Sequence, residues 1–314
     1  MHSPCPAPSG LVQQLGGTTI SDGVADPMSL ALDRSGTLYV ANAATGTGST
    51  GGSVSVYPSG ASTPSRTITG FPGMPHWIAV APSGVLFVVS NMKNGCCSIV
   101  GSVVEYASRT GTQLRSLNGV GGFPNKPAFD TSGNAYIPNF ETFPGWVAVY
   151  RPGAKSPFRT IQSGIGFPLA LAFDGAGNLY ALSGTFSGGD EISVYAPGGS
   201  TPTRTISNGL SDSSDIAFDA SGDLYVSNRG TNKVPSSVAV FAPGASTPAR
   251  TIRTGIRDPI ALGIDASGTL YVANVPLHGY GNVTVYAPGA DAPEKTYRFR
   301  QGVGALVVSR RALP

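Results

Sequence analysis

The sequence predicts an all-β protein, and three observations support this prediction. Glycine and proline supply 43 and 26 of the 314 residues, which is more than a helical protein tolerates. Apolar residues still make up 40% of the chain, so there is enough material for a large core. A short aromatic strand pattern also returns along the chain at nearly regular spacing. Together these features favour many short strands joined by tight turns.

The repeat is anchored by an aromatic residue inside a strand-forming triplet. The first copy is Leu38-Tyr39-Val40 and the last is Leu270-Tyr271-Val272. The six aromatic residues are spaced 44 to 49 residues apart, at Tyr39, Phe87, Tyr136, Tyr180, Tyr225 and Tyr271. A repeat of this length is typical of one four-stranded propeller blade.

Each copy contains four strands, which we name a, b, c and d in chain order. In the fifth copy they are predicted at 215–218, 224–228, 237–241 and 250–252. Asp219 to Gly222 supplies the a–b turn, and Ala242 to Pro248 supplies the c–d turn. A single four-stranded unit cannot cover both faces of its sheet, so we expect the copies to stack radially into a β-propeller.

Two charged positions recur in register with the repeat, which indicates an architectural role. The a–b turn begins with an aspartate, at Asp33, Asp130, Asp174, Asp219 and Asp265. Such an aspartate normally accepts hydrogen bonds from the backbone of its own turn. Strand d begins with an arginine, at Arg66, Arg159, Arg204 and Arg250, for which we also expect a structural role.

The full repeat resembles the NHL and YVTN-type β-propeller repeats over essentially the whole chain. It reads Pro, two residues, apolar-Ala-apolar-Asp, then Ser-Gly-x-Leu-Tyr-Val-Ala-Asn. The implied fold is also similar to that of gluconolactonases and virginiamycin B lyase, which work at a metal in the channel mouth. This resemblance specifies a fold far better than an activity.

The ends of the chain predict a seventh blade built from both termini. Residues 304–308 match strand a, 18–23 match strand d, and 11–15 could supply strand c. We therefore expect a flexible tail over 1–10 and a single seven-bladed domain over 11–314, closed without exposed sheet edges. The alternative is six blades with the termini packed outside.

The b–c loops vary in length and chemistry, whereas the a–b and c–d turns are near copies in each blade. Binding sites are therefore expected on the face that carries the b–c and d–a loops. Aligned starts of strand a place His76, Trp77, Lys126 and Asp215 at the mouth of the axial channel. The alternative is that Lys126 and Asp215 pair with each other while Trp77 packs beneath a loop.

Asparagines at the end of strand b are predicted near the same mouth. They are Asn42, Asn139, Asn228 and Asn274, and their alternative role is to cap the following loop. His278, Cys5 and the adjacent Cys96 and Cys97 form no metal-ligand spacing. No cofactor is predicted. Calcium is the one ion that the oxygens of Asp215, Asn139 and Asn228 would suit.

Composition narrows the choice of function. A net charge of +3 and 12% charged residues do not suggest a nucleic-acid partner, and no apolar run is long enough to insert into a membrane. The surface is rich in serine and threonine and poor in lysine, which predicts an extracellular or periplasmic protein whose signal peptide has been removed. We expect a monomeric, non-catalytic propeller that binds a small molecule, glycan or peptide. The alternative is a lactonase-like hydrolase or lyase with a divalent cation at the mouth.

Overall fold

The computed structural model describes residues 12–13, 19–43, 52–94, 98–275 and 281–298. Every regular element in these ranges is a β-strand. Six antiparallel sheets follow one another along the chain, and each is ordered a-b-c-d. Inner strands of successive sheets pack together, for example Pro27–Leu32 on Met74–Val80 and Ser213–Phe218 on Pro259–Ile264. The prediction of an all-β propeller is confirmed.

The strands have the following bounds. Blade 1 contains β3 (Pro27–Leu32), β4 (Leu38–Asn42), β5 (Ser53–Tyr57) and β6 (Arg66–Ile68). Blade 2 contains β7 (Met74–Val80), β8 (Val85–Asn94), β9 (Ser98–Ala107) and β10 (Gln113–Ser116). Blade 3 has a divided inner strand, β11 (Phe123–Pro124) and β12 (Ala128–Phe129), then β13 (Ala135–Phe140), β14 (Trp146–Tyr150) and β15 (Arg159–Ile161).

The remaining blades repeat this pattern. Blade 4 contains β16 (Phe167–Phe173), β17 (Leu179–Gly184), β18 (Asp190–Tyr195) and β19 (Arg204–Ile206). Blade 5 contains β20 (Ser213–Phe218), β21 (Leu224–Asn228), β22 (Ser237–Phe241) and β23 (Arg250–Ile252). Blade 6 contains β24 (Pro259–Ile264), β25 (Leu270–Asn274), β26 (Asn282–Tyr286) and β27 (Lys295–Arg298). A separate pair, β1 (Val12–Gln13) and β2 (Thr19–Ile20), precedes blade 1.

The core lies between blades and not within them. Strands β4, β21 and β22 are buried along their whole length, because both faces of these sheets are covered. Between blades 4 and 5, Leu182 packs in one cluster with Ile216 and Val226. Each blade therefore depends on its neighbours for the burial of its apolar side chains.

The repeated aspartates and arginines have the structural roles predicted for them. Asp33 Oδ1 accepts hydrogen bonds from the backbone N–H groups of Ser35 (2.8 Å) and Thr37 (2.9 Å), and the other four aspartates bind their own turns in the same way. The guanidinium of Arg204 donates to the carbonyls of Gly244 and Ala245 in the next blade. Arg66, Arg159 and Arg250 reach across blade boundaries in the same manner.

The seven-blade prediction is wrong, and the six-blade alternative matches the structure. The N-terminal strands β1 and β2 pair with each other as a two-stranded sheet. The expected inner strand at 304–308 and the expected tail over 1–10 lie outside the described residues. Six complete sheets account for all the other strands.

The N-terminal pair resembled an outer strand because it docks on blade 1 as an outer strand does. Tyr57 Oη donates to the carbonyl of Asp22 at 2.6 Å. Equivalent tyrosines in blades 3, 4 and 6 bind the ends of the preceding outer strands, at Asn118, Ser163 and Thr254. The sequence pattern of an outer strand thus indicates a contact with the following blade. A two-stranded sheet can make that contact without being part of a complete blade.

Candidate functional site

Each inner strand is irregular near its start, where the sequence placed the channel mouth. Pairing between strands a and b shifts by one residue in five blades, at Met28, His76, Leu169, Ser214 and Ile260. In blade 3 the inner strand is divided around Lys126-Pro127, because proline has no N–H to donate to the ladder. The shift falls at the same aligned position in these five blades, and a bulge there redirects the neighbouring side chains.

Polar side chains at these irregular positions connect one blade to the next. Ser29 Oγ accepts a hydrogen bond from the Ile78 N–H at 3.2 Å. Ser214 Oγ donates to the Pro259 carbonyl at 2.7 Å. The mouth of the channel is therefore a set of inter-blade contacts as well as a candidate binding surface.

Asp215 is held firmly at this position in blade 5. Its Oδ1 accepts from the Ile216 N–H and its Oδ2 from the Leu262 N–H of blade 6, both at 2.9 Å. Burial raises the pKa of the Asp215 carboxyl, and the positive charge of Lys126 and the two backbone donors only partly oppose this rise. The carboxyl is thus a fixed hydrogen-bond acceptor, and its surroundings disfavour its charged form.

Lys126 lies on the same channel with an exposed side chain. The ion pairs formed among the described residues are Arg115–Glu105, Arg229–Asp258 and Arg250–Asp291, so Lys126 and Asp215 do not pair directly. Their interaction is electrostatic at longer range. The ammonium group of Lys126 therefore remains accessible to a ligand.

Trp77 packs against the core, whereas His76 does not belong to a core cluster of the described residues. Trp77 pairs with Val89 of β8 and packs against the apolar cluster between blades 2 and 3. The ring of His76 lies 6.3 Å from that of Trp77, and burial lowers the pKa of His76. At neutral pH the imidazole is accordingly uncharged and can accept a hydrogen bond.

A cavity of about 1720 Å³ includes part of the axial channel and extends over the face of the a–b turns as far as outer-strand residues such as Arg66 and Leu114. Lys126 lines it, whereas His76, Trp77 and Asp215 do not. Small residues occupy one repeat position along its wall, namely Ala128, Ala172, Ala217 and Gly263. We did not predict this extension from the sequence. The small residue in the apolar-Ala-apolar-Asp motif is the signal that could have indicated it.

The asparagines at the end of strand b bind the d–a loops. Asn139 Oδ1 accepts from Gly121 N–H at 3.0 Å, Asn228 Oδ1 from Ser211 N–H at 3.2 Å, and Asn274 Oδ1 from Arg257 N–H at 2.9 Å. All three are almost fully buried. Their amide oxygens therefore bind backbone groups of the chain, which favours the alternative that the asparagines cap loops. Few side-chain oxygens are left to coordinate a calcium ion.

Blades 2 and 4 carry serine in place of this asparagine. The hydroxyls of Ser90 and Ser183 are buried and have no hydrogen-bond partner among the described residues, and the same is true of Ser193 beside Ser183. A serine side chain is too short to reach the d–a loop as asparagine does. We call the hydrogen bond between the strand b asparagine and the d–a loop the latch. The serines of blades 2 and 4 leave this latch incomplete.

A cluster of five phenylalanines was not predicted from the sequence. It comprises Phe143 and Phe186 from the b–c loops of blades 3 and 4, and Phe123, Phe140 and Phe167 from the adjoining strand ends. Phe143 is 44% exposed and Phe186 is 79% exposed. We call this group the phenylalanine cluster. The repeated Phe-Pro before the inner strands of blades 3 and 4 was its sequence signal.

The described residues offer neither a cluster of metal ligands nor a membrane-spanning helix. Within the described ranges, no three His, Cys, Asp or Glu side chains come together as a metal site requires. His278, Cys5, Cys96 and Cys97 lie outside those ranges. The described part of the chain contains no helix of the length and apolarity needed to cross a bilayer.

Comparison with known proteins supports the fold and goes no further. The structure is similar to that of hydrazine synthase from Kuenenia stuttgartiensis, with a TM-score of 0.68 and 17% identity over 82% of this chain and 76% of that one. No family model matches the chain, and no curated protein matches its sequence. The resemblance to NHL and YVTN repeats therefore stays a prediction, and this chain has the architecture of a β-propeller.

Proposed function

We propose that this chain is a non-catalytic binding propeller that uses the face of its b–c and d–a loops to hold a small molecule, glycan or peptide. The observation that carries this proposal is the contrast between the two faces. Repeated aspartates and arginines on the turn face are engaged with backbone groups. The loop face differs from blade to blade and exposes Lys126 and the phenylalanine cluster.

Within this proposal, the channel mouth contacts the ligand through His76, Lys126 and Asp215. A neutral imidazole and an accessible ammonium suit a ligand with a carboxylate or phosphate group and a hydrogen-bond donor. Trp77 supports His76 from the core. Asn139, Asn228 and Asn274 fix the surrounding loops. In this proposal the protein is a monomer and works outside the cytoplasm, and its lysine-poor composition, with five lysines in 314 residues, supports that location.

A thermal-shift screen tests this proposal. The full chain is heated with a panel of sugar acids, phosphorylated sugars and short peptides, and Lys126→Ala is compared with Lys155→Ala, which changes an exposed lysine of a c–d turn. We expect at least one anionic ligand to raise the melting temperature of the parent and of Lys155→Ala, but not of Lys126→Ala. A ligand that stabilises all three proteins equally would place the site elsewhere.

The alternative function is lactonase-like catalysis with calcium at the mouth. It predicts hydrolysis of a lactone or ester that stops when a chelator is added and that Asp215→Ala abolishes. We expect no such turnover from the full chain. Chelator-sensitive activity that calcium restores would replace the binding proposal with the enzymatic one.

A further inference from the structure

The phenylalanine cluster is one continuous aromatic surface. The ring centroids of Phe140 and Phe167 are 4.4 Å apart, those of Phe143 and Phe167 are 5.2 Å apart, and those of Phe143 and Phe186 are 5.3 Å apart. Phe123 extends the series at 6.5 Å from Phe140. These distances are those of directly packed aromatic pairs. The five rings therefore form a single patch that crosses the boundary of two blades.

Backbone hydrogen bonds hold the loops that carry these rings. Gly145 N–H donates to the Gly166 carbonyl at 2.8 Å and so joins the b–c loop of blade 3 to the d–a loop of blade 4. A Cβ on Gly166 would lie 2.1 Å from the Gly184 carbonyl oxygen, so only glycine permits this approach. Thr185 N–H donates to the Gly189 carbonyl at 2.9 Å and closes the loop that carries Phe186.

The outer edge of the patch is open to solvent. Phe186 is the most exposed large apolar residue among those described, and Phe143 and Phe123 follow in the same patch at 44% and 43%. Single exposed apolar residues are common on protein surfaces, whereas several in contact mark an interaction site. The patch lies on the variable face, where the proposed function also places binding.

The charged residues of the blade 3 and blade 4 loops are acidic, and the basic residue of the same two blades on this face is Lys126, three residues after Phe123. The b–c loops and adjoining strand ends of blades 3 and 4 carry Glu141, Asp190 and Glu191, and the d–a loops over 117–123 and 162–167 carry no charge. Acidic groups repel anionic lipid headgroups and the same patch of a second copy. They attract lysine and arginine. The surroundings of the rings therefore select a basic partner.

We propose that the phenylalanine cluster is a docking site for a protein segment that presents aromatic or aliphatic side chains beside lysine or arginine. The apolar side chains of the partner cover Phe143 and Phe186, and its basic groups face Glu141 and Glu191. Aromatic anchors surrounded by complementary charge are typical of binding hot spots. This inference rests on the proposed use of the loop face and names a partner class for it.

Fluorescence anisotropy with three labelled twelve-residue peptides tests the inference on the full chain. The first peptide alternates Trp and Leu with Lys and Arg, the second replaces its basic residues by Glu, and the third replaces its apolar residues by Ser. The variants are Phe143→Ser/Phe186→Ser and Glu141→Gln/Glu191→Gln. Phe158→Ser is the matched control, because Phe158 is 43% exposed beside the c–d turn on the other face.

We expect the first peptide to bind at least tenfold more tightly than either of the others. The double phenylalanine variant should lose at least tenfold in affinity, the double glutamine variant should lose several-fold and show weaker salt dependence, and Phe158→Ser should bind like the parent. Failure of all three peptides to bind, equal binding of the Glu peptide, or equal binding by the double phenylalanine variant would overturn the inference.

Two further measurements separate other occupants and the proposed function. Phe-dependent co-sedimentation with phosphatidylcholine vesicles, or Phe-dependent self-association in sedimentation velocity, would assign the patch to a membrane or to a second copy and overturn the inference. Lys155→Ala, which changes an exposed lysine of a c–d turn on the opposite face, should leave peptide affinity unchanged. If the peptides fail but a ligand still shifts the melting temperature through Lys126, the proposed function stands and only the docking site is lost.

Discussion

The two faces of the propeller use polar side chains in opposite ways. On the turn face, Asp219 binds its own hairpin and Arg204 binds the neighbouring blade, and the equivalents of both recur around the ring. On the loop face, Asn228 and Asn274 bind loops in a similar way, but Lys126 and the phenylalanine cluster do not repeat. Repetition in this protein marks architecture, and departure from repetition marks the candidate sites.

The same contrast exists within the loop face. Blades 3 and 4 present an aromatic patch with acidic neighbours, whereas the d–a loop of blade 6 and the b–c loop of blade 5 present Arg253, Arg257 and Lys233. Glu141 and these three basic residues are exposed, whereas Asp190 and Glu191 are partly buried. A partner that binds this face therefore contacts aromatic and acidic side chains at blades 3 and 4 and basic side chains at blades 5 and 6.

The largest effect is expected from removing a complete asparagine latch. Asn274→Ala leaves the partly buried Arg257 N–H without its acceptor and also removes the donors to Val272, Asn282 and Thr284. We expect the free energy of unfolding to fall by about 2–3 kcal/mol, measured by urea denaturation.

The matched change in an incomplete latch is Ser183→Ala. The hydroxyl of Ser183 is buried without a partner in the described part of the chain, so its removal should change the unfolding free energy by less than about 0.5 kcal/mol, or should stabilise the protein. Equal losses in the two variants would contradict the distinction between complete and incomplete latches.

A smaller effect is expected on the turn face. Arg204→Ala removes hydrogen bonds to Gly244, Ala245 and the Tyr180 hydroxyl, and we expect a loss of about 1–2 kcal/mol in unfolding free energy. The control is Arg253→Ala, an exposed arginine of a d–a loop, which should cost less than about 0.5 kcal/mol. Similar urea midpoints for both variants would show that the inter-blade arginines contribute no more than surface charges.

Protein stability is expected to change between pH 7.5 and 5.5 through the titration of His76 on the loop face. Burial lowers the pKa of His76 in the folded state, so the unfolded chain takes up a proton first as the pH falls through about 6.5. Stability should therefore decrease over this interval. His76→Gln should make the decrease smaller, as measured by melting temperatures at the two pH values. An identical decrease in His76→Gln would show that other groups cause it.

The smallest effect is expected at acid pH on the turn face. Burial tends to raise the pKa of Asp33, but hydrogen bonds from Ser35 and Thr37 outweigh it and hold the pKa below its usual value of 3.8. Its stabilisation is present above that value and is lost as the pH falls further. Asp33→Asn should therefore lose stability at pH 7 and show a flatter melting profile between pH 5 and 3. A profile that stays as steep as the parent's would contradict this assignment.

Local sequence determined much of the fold. The triplet around Tyr39 and its equivalents located strand b in every blade, and Asp33, Asp219 and their equivalents located the a–b turns. These signals could be read because the interactions behind them join residues that are close in the chain. Asp33, for example, binds residues two and four positions further on.

Blade number and the candidate site depended on contacts between distant residues. Thr19–Ile20 carries the pattern of an outer strand but belongs to a two-stranded sheet. The pattern is the same because the segment contacts Tyr57 of blade 1 as the outer strand of a complete blade would. The repeat also left the function of Asn139 and Asn274 open. Only the positions of the d–a loops showed that their amide oxygens bind Gly121 and Arg257.

The sequence by itself determined the all-β class, the repeat, the turns and the alignment of the channel-mouth residues. The tertiary structure decided that the described blades number six, that Trp77 belongs to the core while Lys126 lines the cavity, and that five phenylalanines meet. The physical reason is range. Turns and strand periodicity arise from neighbours in the chain, whereas Phe140, Phe167 and Phe186 touch the same patch only because radial packing brings the loops of two blades together.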